Sequence, residues 1–485
     1  MTTPFLNRTT ELKLLDDLWA SGRAELLVLY GRRRVGKTEL LVRFAHDRRA
    51  ILLEATDVER DDQLRDFGSA YVDALDLGSL VVQVDSWERA LEMVAEAAQT
   101  ERTLVVLDEF QYLVKQAPGL SSLLSRWWRT TGSSLDLILV LSGSDIAFFA
   151  DEVLGVTGPL HGRRTADYRL QPFSSIDAQL FIPDWDAEDR VRAYAVWGGV
   201  PYYLAMIDPT QSLPENILST ILNPGAPLQR EAEYLIRMES RLRDVALYGS
   251  ILRGLASGKT TLSDLSGYLG EGTDAGNLSR QLERLTDVGL TSELRPVTQA
   301  RRGAVRYQIS DPFLRFWYRF TAPAASRLVT HASAQRYRDT VVMPGLDQFV
   351  SAPAFEEICQ ADLQRRFDAA TVGRWWGRVT ENRDGGRKET VEREADGVAL
   401  DDHGEVIALA TCKWTNSPTH IAEVNKLRRI LGVLAPGRSV PIVVYTRNGV
   451  DNLIAKEREE NPAGVIVVSP GELFSERNLR ATLEL

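Results

Sequence analysis

Apolar residues recur along the chain at two spacings and divide it into three stretches. In the first, "ELLVLY" (25–30), "TLVVL" (103–107) and "LDLILVLS" (135–142) are mainly apolar runs of strand length. Runs of this kind predict strands buried on both faces, as in a parallel sheet. After the first run the pattern switches to Leu40, Leu41 and Phe44, the spacing of a helix with one buried face. In the second stretch, 241–310, helical spacing dominates. "RDVALYGSILRGLA" reads as one amphipathic helix. Leu262, Leu265 and Leu269 lie on one face of a second, and Leu278, Leu282 and Leu285 on one face of a third. Two strand-like runs, "LTSELRPV" and "AVRYQI", then flank a polar turn. Three helices followed by a hairpin predict a winged helix-turn-helix. The third stretch, from about residue 345, reads as a helix ("PAFEEICQADLQRRF"), two strands ("ETVEREADGVAL", "EVIALATCKW"), then helix, strand, helix, strand and a last helix.

The junction between the first run and its helix carries chemistry. Gly31, Gly36, Lys37 and Thr38 form G-x-x-x-x-G-K-T between a strand and a helix, the context that a phosphate-binding loop requires. Backbone N–H groups of Arg32, Arg33, Arg34, Val35 and Gly36 can turn inward around the phosphates at the positive end of the helix. Lys37 is expected to reach the β- and γ-phosphates of ATP, and Thr38 to ligate Mg²⁺. The strand ending at Leu107 delivers Asp108 and Glu109. Asp108 fits the carboxylate that holds hydrated Mg²⁺, and Glu109 is placed to polarise the attacking water. Ser142, at the end of the next run, is either a sensor of the γ-phosphate or a serine closing a strand. Farther on, Arg163 and Arg164 are either surface cations or a source of an arginine finger.

The ordered pieces "FLNRTTEL", "YGRRRVGKTELL", "LDEFQYL", "LSGSD", "GPLHGRRT" and "GGVPYYL" resemble the archaeal-type P-loop ATPases of the AAA+/STAND group, over roughly residues 4–210. The resemblance implies that Asn7 and Arg8 lie near the adenine, that Ser142 is a sensor, and that Arg163 is the best finger candidate. It also sets Gly199, Val200 and Pro201 in a lid against the nucleotide. The triple Arg32-Arg33-Arg34 either senses phosphate or is solvated. The winged helix is seen in the middle of the same family.

The last stretch resembles the PD-(D/E)xK nuclease-like domain that ends members of this family. That likeness assigns Glu356, Asp396 and Lys413 to three of the four positions of a metal-dependent nuclease site; the fourth, normally an acid, is Thr411. A hydroxyl replaces a carboxylate poorly on a divalent cation. Strand geometry suggests a repair. If Leu400 and Glu405 close the turn without a bulge, Glu394 lies opposite Thr411 and supplies the missing carboxylate. A left-handed bulge at Gly404 would shift that register. The competing account is an inactive nuclease fold kept for binding.

The expected architecture is therefore α/β. A P-loop ATPase core with a helical lid spans 1–235 (lid about 175–235), a winged helix 236–325, a linker 326–344, and a nuclease-like domain 345–485. On the winged helix, Asn277, Arg280, Gln281 and Arg284 would face DNA from the third helix, and Arg301 and Arg302 from the wing. Glu283 and Asp287 on the same face would repel phosphate. A packing role for this unit stands beside the DNA role. The aromatic group Phe313, Phe316, Trp317, Tyr318 and Phe320 reads as core rather than a base-stacking platform.

The 485 residues carry a net charge of −10, which argues against a surface coated in basic residues while leaving room for a local basic patch. Cys359 and Cys412 make no metal-ligand spacing and read as small core hydrophobes of a cytoplasmic protein. No apolar run is long enough to cross a bilayer. Three functions fit: an Mg²⁺-dependent ATPase whose cycle moves the later domains on or near nucleic acid, a slow nucleotide-gated switch of assembly state acting as a homo-oligomer, and a C-terminal unit that recruits a protein partner.

Overall fold

The structure, a computed structural model, describes residues 5–239, 242, 244–270, 275–298, 305–382 and 388–474. The apolar runs of the first stretch become a five-stranded parallel sheet. Its strands are β1 (Glu25–Tyr30), β2 (Ala50–Glu54), β3 (Thr103–Asp108), β4 (Leu137–Gly143) and β5 (Ala166–Arg169). They are arranged in the order β2-β3-β4-β1-β5. β1, β3 and β4 are buried almost throughout because helices cover both faces. In a parallel sheet ligands gather beyond the carboxyl ends of the strands. That edge carries Gly31, Asp108 and Gly143.

Short helices follow from Ser175 to Met238, the stretch expected to form the lid, including Ala187–Trp197, Pro201–Leu204 and Glu231–Met238. The winged helix comprises the helices Val245–Ala256, Leu262–Leu269 and Ala275–Asp287. Its hairpin pairs β6 (Thr291–Leu294) with β7 (Arg306–Ile309) in antiparallel register. Leu265, Leu278, Leu282 and Leu285 are all buried, as their spacing predicts.

The C-terminal sheet has the order β12-β11-β10-β9-β8. Strands β8 (Thr371–Asn382), β9 (Lys388–Leu400) and β10 (Val406–Lys413) are antiparallel neighbours. β11 (Ile442–Thr446) and β12 (Val465–Val468) continue the sheet in parallel with β10. β8 is absent from the pattern reading: its glycines Gly373 and Gly377 interrupt the apolar alternation. Helices Phe355–Arg366, Ile421–Leu434 and Asn452–Glu460 pack around this sheet.

Residues 326–344 are not an extended linker. Helical turns run from His331 through Phe349, and Ala334, Val342, Leu346 and Val350 are buried. One continuous core joins Trp197 and Tyr203 of the lid, Leu282 and Ile309 of the winged helix, the aromatic group Phe313–Phe320, and Phe355 and Tyr445 beyond. The aromatics of that group lie at 0–5% exposure, which makes them core. Charge reinforces the same junction. Asp347 accepts from Arg192 of the lid at 2.8 Å, Arg447 after β11 at 2.7 Å and Trp414 after β10 at 3.1 Å. Partial burial works to raise the Asp347 carboxyl, but these donors outweigh it and hold the group down at about 2. Both cysteines are free and buried. Among the described residues no helix is long and apolar enough to cross a membrane.

Candidate functional site

The phosphate loop leaves β1 at Gly31 and enters the helix Lys37–Ala45. Two glycines are dictated by space and conformation. A Cβ on Gly31 would sit 2.5 Å from the Leu170 carbonyl oxygen, and Gly36 caps the helix with φ +89°. The Lys37 ammonium donates to the carbonyls of Gly31 at 3.0 Å and Arg32 at 3.3 Å. Burial pushes its pKa down, while Glu109 and Asp108 pull the other way. The Thr38 hydroxyl donates to Asp108 Oδ2 at 2.5 Å, and the other Asp108 oxygen accepts the Glu109 N–H at 3.0 Å. Lysine, hydroxyl and both acids thus converge at one end of the sheet.

Lys37, Thr38 and Glu109 border a cavity of about 650 Å³. It is lined by the loop and catalytic residues Arg33, Arg34, Val35, Gly36, Lys37, Thr38 and Glu109, and by the apolar and aromatic side chains Phe5, Leu6, Phe173, Phe181 and Tyr202. A volume of a few hundred Å³ with both charged and apolar lining suits a nucleotide. Pro201 lines it from the lid, 3.9 Å from the point where a Cβ on Gly36 would lie.

Arg8 also lines the cavity, but its guanidinium is occupied. It donates to Val35 O at 2.8 Å and Gln171 O at 2.9 Å, pairs with Glu11, and lies 4.2 Å over the Phe173 ring. It therefore ties the amino-terminal segment to the phosphate loop. Asn7 donates to Asp177 at 2.6 Å.

The triple arginine is not solvated: each member reaches a different element. Arg32 pairs with the buried Asp311, at the exit of the wing. Burial works against the charge of Arg32, and Asp311 more than restores it. Arg33 donates to the Tyr112 hydroxyl at 2.7 Å, in the helix after β3. Arg34 pairs with the buried Glu231 of the lid at 3.0 Å and lies 4.0 Å over Tyr202.

Two expectations at this end meet a different arrangement. Ser142 is buried in β4, and its hydroxyl has no hydrogen-bond partner. The residue that meets Glu109 is Ser144, two positions on, with its hydroxyl 2.7 Å from Glu109 Oε2. Parallel register contained that signal. Leu107 pairs with Leu141, which brings Glu109 level with Gly143, one residue before Ser144. Arg163 lies at the wrong end of the sheet. Thr165 donates to Leu26 at the start of β1, whereas Gly31 follows its end. Five residues of strand, about 16 Å, separate those levels. Arg163 is thus remote from the nucleotide cavity of its own chain, and Arg164 pairs with Asp167.

On the third helix of the winged helix, Asn277, Arg280 and Arg284 are exposed, as are Glu283 and Asp287. Gln281 turns partly inward and accepts the Tyr248 hydroxyl at 2.5 Å. Arg301 and Arg302 lie outside the described residues. The described base of the wing rests on the C-terminal sheet. Val297 N–H donates to Arg374 O at 2.9 Å, and Arg306 grips both Glu394 oxygens at 3.1 Å while lying 4.4 Å over Trp376.

That contact removes the Glu394 repair. Gly404 is left-handed (φ +77°), with its N–H on Asp401 O and Asp401 N–H on Glu405 O, so Leu400 pairs with Val406 rather than Glu405. A second irregularity between Val406 and Ala408 shifts the pairing again, to Ala410↔Gly397. Thr411 consequently meets Asp396, its hydroxyl donating to Oδ2 at 3.1 Å. Glu356 pairs with Arg374 of β8. Burial pushes its carboxyl up to about 7 against the pull of Arg374, with Asp396 and Glu394 adding to the rise. Lys413 pairs at 3.0 Å with Glu423, a residue the sequence reading passed over. Burial works against the Lys413 charge, and Asp396 and Glu423 raise its pKa above the usual value. Among the described residues no group of three His, Cys, Asp or Glu side chains is placed to hold a metal ion.

A strand–loop–helix cradle with a buried lysine, a hydroxyl on an aspartate and a second acid beside it defines a P-loop ATPase. Residues 5–207 match the family described as an ATPase domain predominantly from Archaea. Residues 317–428 match a second family, described as archaeal and bacterial proteins of unknown function. An uncharacterised protein of Methanocaldococcus jannaschii is 25% identical over 420 residues, 84% of this chain and 87% of that protein. An uncharacterised ATP-binding protein of the same organism is 47% identical over 45 residues, 9% of this chain and 76% of that protein. Among solved structures, the Walker-type ATPase of Pyrococcus abyssi shares the fold, with TM-score 0.50 and 20% identity over 65% of this chain and 96% of that one.

Proposed function

We propose that the protein is an Mg²⁺-dependent ATPase whose nucleotide state is passed to the winged helix and C-terminal unit, acting on or near nucleic acid. The observation that carries the reading is the Thr38–Asp108 hydrogen bond of 2.5 Å beside the Lys37 ammonium. A hydroxyl and a carboxylate are hard oxygen donors, a set that suits Mg²⁺. The ion, when bound, neutralises charge on the transferring phosphoryl group. Lys37 binds the β- and γ-phosphates, Glu109 takes a proton from the attacking water, and the apolar lining of Phe5, Leu6 and Phe173 holds the base. Transmission is supported by the partners of Arg32 and Arg34: a loop that shifts around phosphate pulls on Asp311 and Glu231 together. Asp311 in turn caps the helix Pro312–Phe316, whose Arg315 pairs with Glu357 beyond the junction at 2.5 Å. Exposed Asn277, Arg280 and Arg284 support contact with nucleic acid. Arg163 serves as a finger only toward the nucleotide of a second copy.

The test is ATP hydrolysis by the full chain with Mg²⁺, with EDTA, and with single- or double-stranded DNA. Turnover that needs Mg²⁺ and rises several-fold with DNA is expected. Turnover indifferent to EDTA removes the metal role, and indifference to DNA removes the nucleic-acid role.

A second reading is favoured by one observation: the wing base is docked on β8 and every acid of the nuclease-like constellation has a partner. In that reading the nucleotide gates an assembly state, and the C-terminal unit is a nuclease-like fold that binds protein and does not cut.

A further inference from the structure

Glu109 is held more firmly than a solvent-facing acid needs to be. Its residue is left-handed (φ +50°) and caps the helix Phe110–Gln116, so the side chain leaves the end of β3 in a direction that strand continuation would not give. Three donors meet its Oε2. The Ser144 hydroxyl lies at 2.7 Å, the Ser144 N–H at 3.3 Å, and the Gln111 amide completes the set. Among the described residues no hydrogen bond reaches Oε1. Ser144 is 3% exposed, and the loop that carries it is closed by Asp145, whose side chain caps the next helix at Phe148 N. The Gln111 amide can be oriented only one way: its NH₂ faces the carboxylate, and its own oxygen is buried without a partner. The space for that amide is made by Gly143, where a Cβ would press on Gln111 and lie 2.5 Å from the Phe149 ring.

We propose that Ser144, assisted by Gln111, is the positioning residue of the hydrolytic centre. It anchors one carboxylate oxygen of Glu109 so that the other is presented to the attacking water. This rests on the reading of Glu109 as the base. A carboxylate anchored through one oxygen by a hydroxyl, a backbone N–H and an amide keeps the second oxygen's lone pairs for a proton. The anchor comes from the strand next to β3 in the sheet, so the acid and its holder move as one rigid edge. Ser142, inside β4, cannot play this part. Ser144 acts through Glu109 and is not itself a catalytic residue.

The test is a double-mutant cycle on the full chain, read by steady-state and single-turnover ATP hydrolysis. Ser144→Ala is expected to lower kcat roughly tenfold or more, the scale of misplacing a reacting group by a fraction of an ångström to one ångström. KM should stay within about twofold, since ground-state binding is untouched. Ser144→Thr, which keeps the hydroxyl, should recover most of the loss. In a Glu109→Gln background, Ser144→Ala should cost nothing further, because the carboxylate it positions is gone. Retained ATP binding by Ser144→Ala shows that the variant is folded. If Ser144→Ala turns over like the parent while Glu109→Gln is dead, or if it loses the same factor in both backgrounds, the positioning role is overturned and the base assignment stands. If Glu109→Gln turns over normally, both fall.

Discussion

The two ends of this chain carry constellations of similar chemistry, a lysine and several carboxylates at the edge of a sheet, and they are built in opposite ways. At the amino end, Lys37, Thr38 and Glu109 border a cavity of about 650 Å³ with Asp108 hydrogen-bonded to Thr38, and among the described residues the lysine donates only to two loop carbonyls. Its charge is balanced at a distance by acids whose hydrogen bonds come from neutral groups. At the carboxyl end each charge has its own partner in contact: Glu356 with Arg374, Glu394 with Arg306, Lys413 with Glu423, and Asp396 with the Thr411 hydroxyl and the Cys412 N–H. A binding site needs charge that is left for the ligand to satisfy; a structural network spends it internally. Motif spacing does not distinguish these two cases, and contact partners do.

The largest test of this contrast is Lys37→Ala. Losing a charge-assisted contact to phosphate should weaken ATP binding roughly 10- to 100-fold, read by calorimetry with Mg²⁺. The matching change at the other end, Lys413→Ala, should leave ATP binding unchanged and reveal no metal-dependent nicking of plasmid DNA in either protein. Lys413-dependent nicking would erase the distinction.

A smaller effect is expected at the bridge between the ends. Asp311→Asn keeps an oxygen for the helix cap but leaves Arg32, only 14% exposed, without its counter-charge. Breaking such a buried pair should destabilise the protein by about 3 kcal/mol, seen as a lower thermal midpoint. An unchanged midpoint would mean that the phosphate loop and the wing are not energetically joined.

The smallest effect is a pH dependence. Glu356 holds its proton up to about pH 7 when folded, above the value of about 4.3 for a free glutamate. Between those values the native state binds more protons than the unfolded chain, so stability falls as pH rises. Glu356→Gln should flatten that part of the profile relative to the parent in chemical denaturation. Parallel profiles would place the proton elsewhere.

The nucleotide end was legible because its signals are local. Strand, glycine loop, lysine and helix follow one another within 21 residues, 25–45, and Asp108 ends an apolar run. The winged helix was legible from leucine spacing for the same reason. What escaped depended on distant register. Glu394 was placed by counting back from a tight turn, and the two irregularities at Gly404 and Ile407 moved the count by two residues. Arg163 was assigned by likeness, and only the pairing of β5 with β1 reveals which end of the sheet it occupies. Arg374 and Trp376 belong to β8, which the alternation did not disclose, so the partners that neutralise Glu356 and cradle Arg306 were invisible.

The buried cluster that runs from Phe173 to Phe474 has a consequence for how this architecture can be cut or exchanged. A boundary drawn at residue 345 slices through shared packing and would part Phe316 and Phe320 from Phe349, whose ring lies 5.9 and 5.5 Å from theirs, leaving an oily scar on both fragments. The second family match begins at residue 317, upstream of that boundary, and runs into the last sheet. Recombination that grafts a new terminal module onto such an ATPase would therefore have to carry the aromatic helices along as its socket.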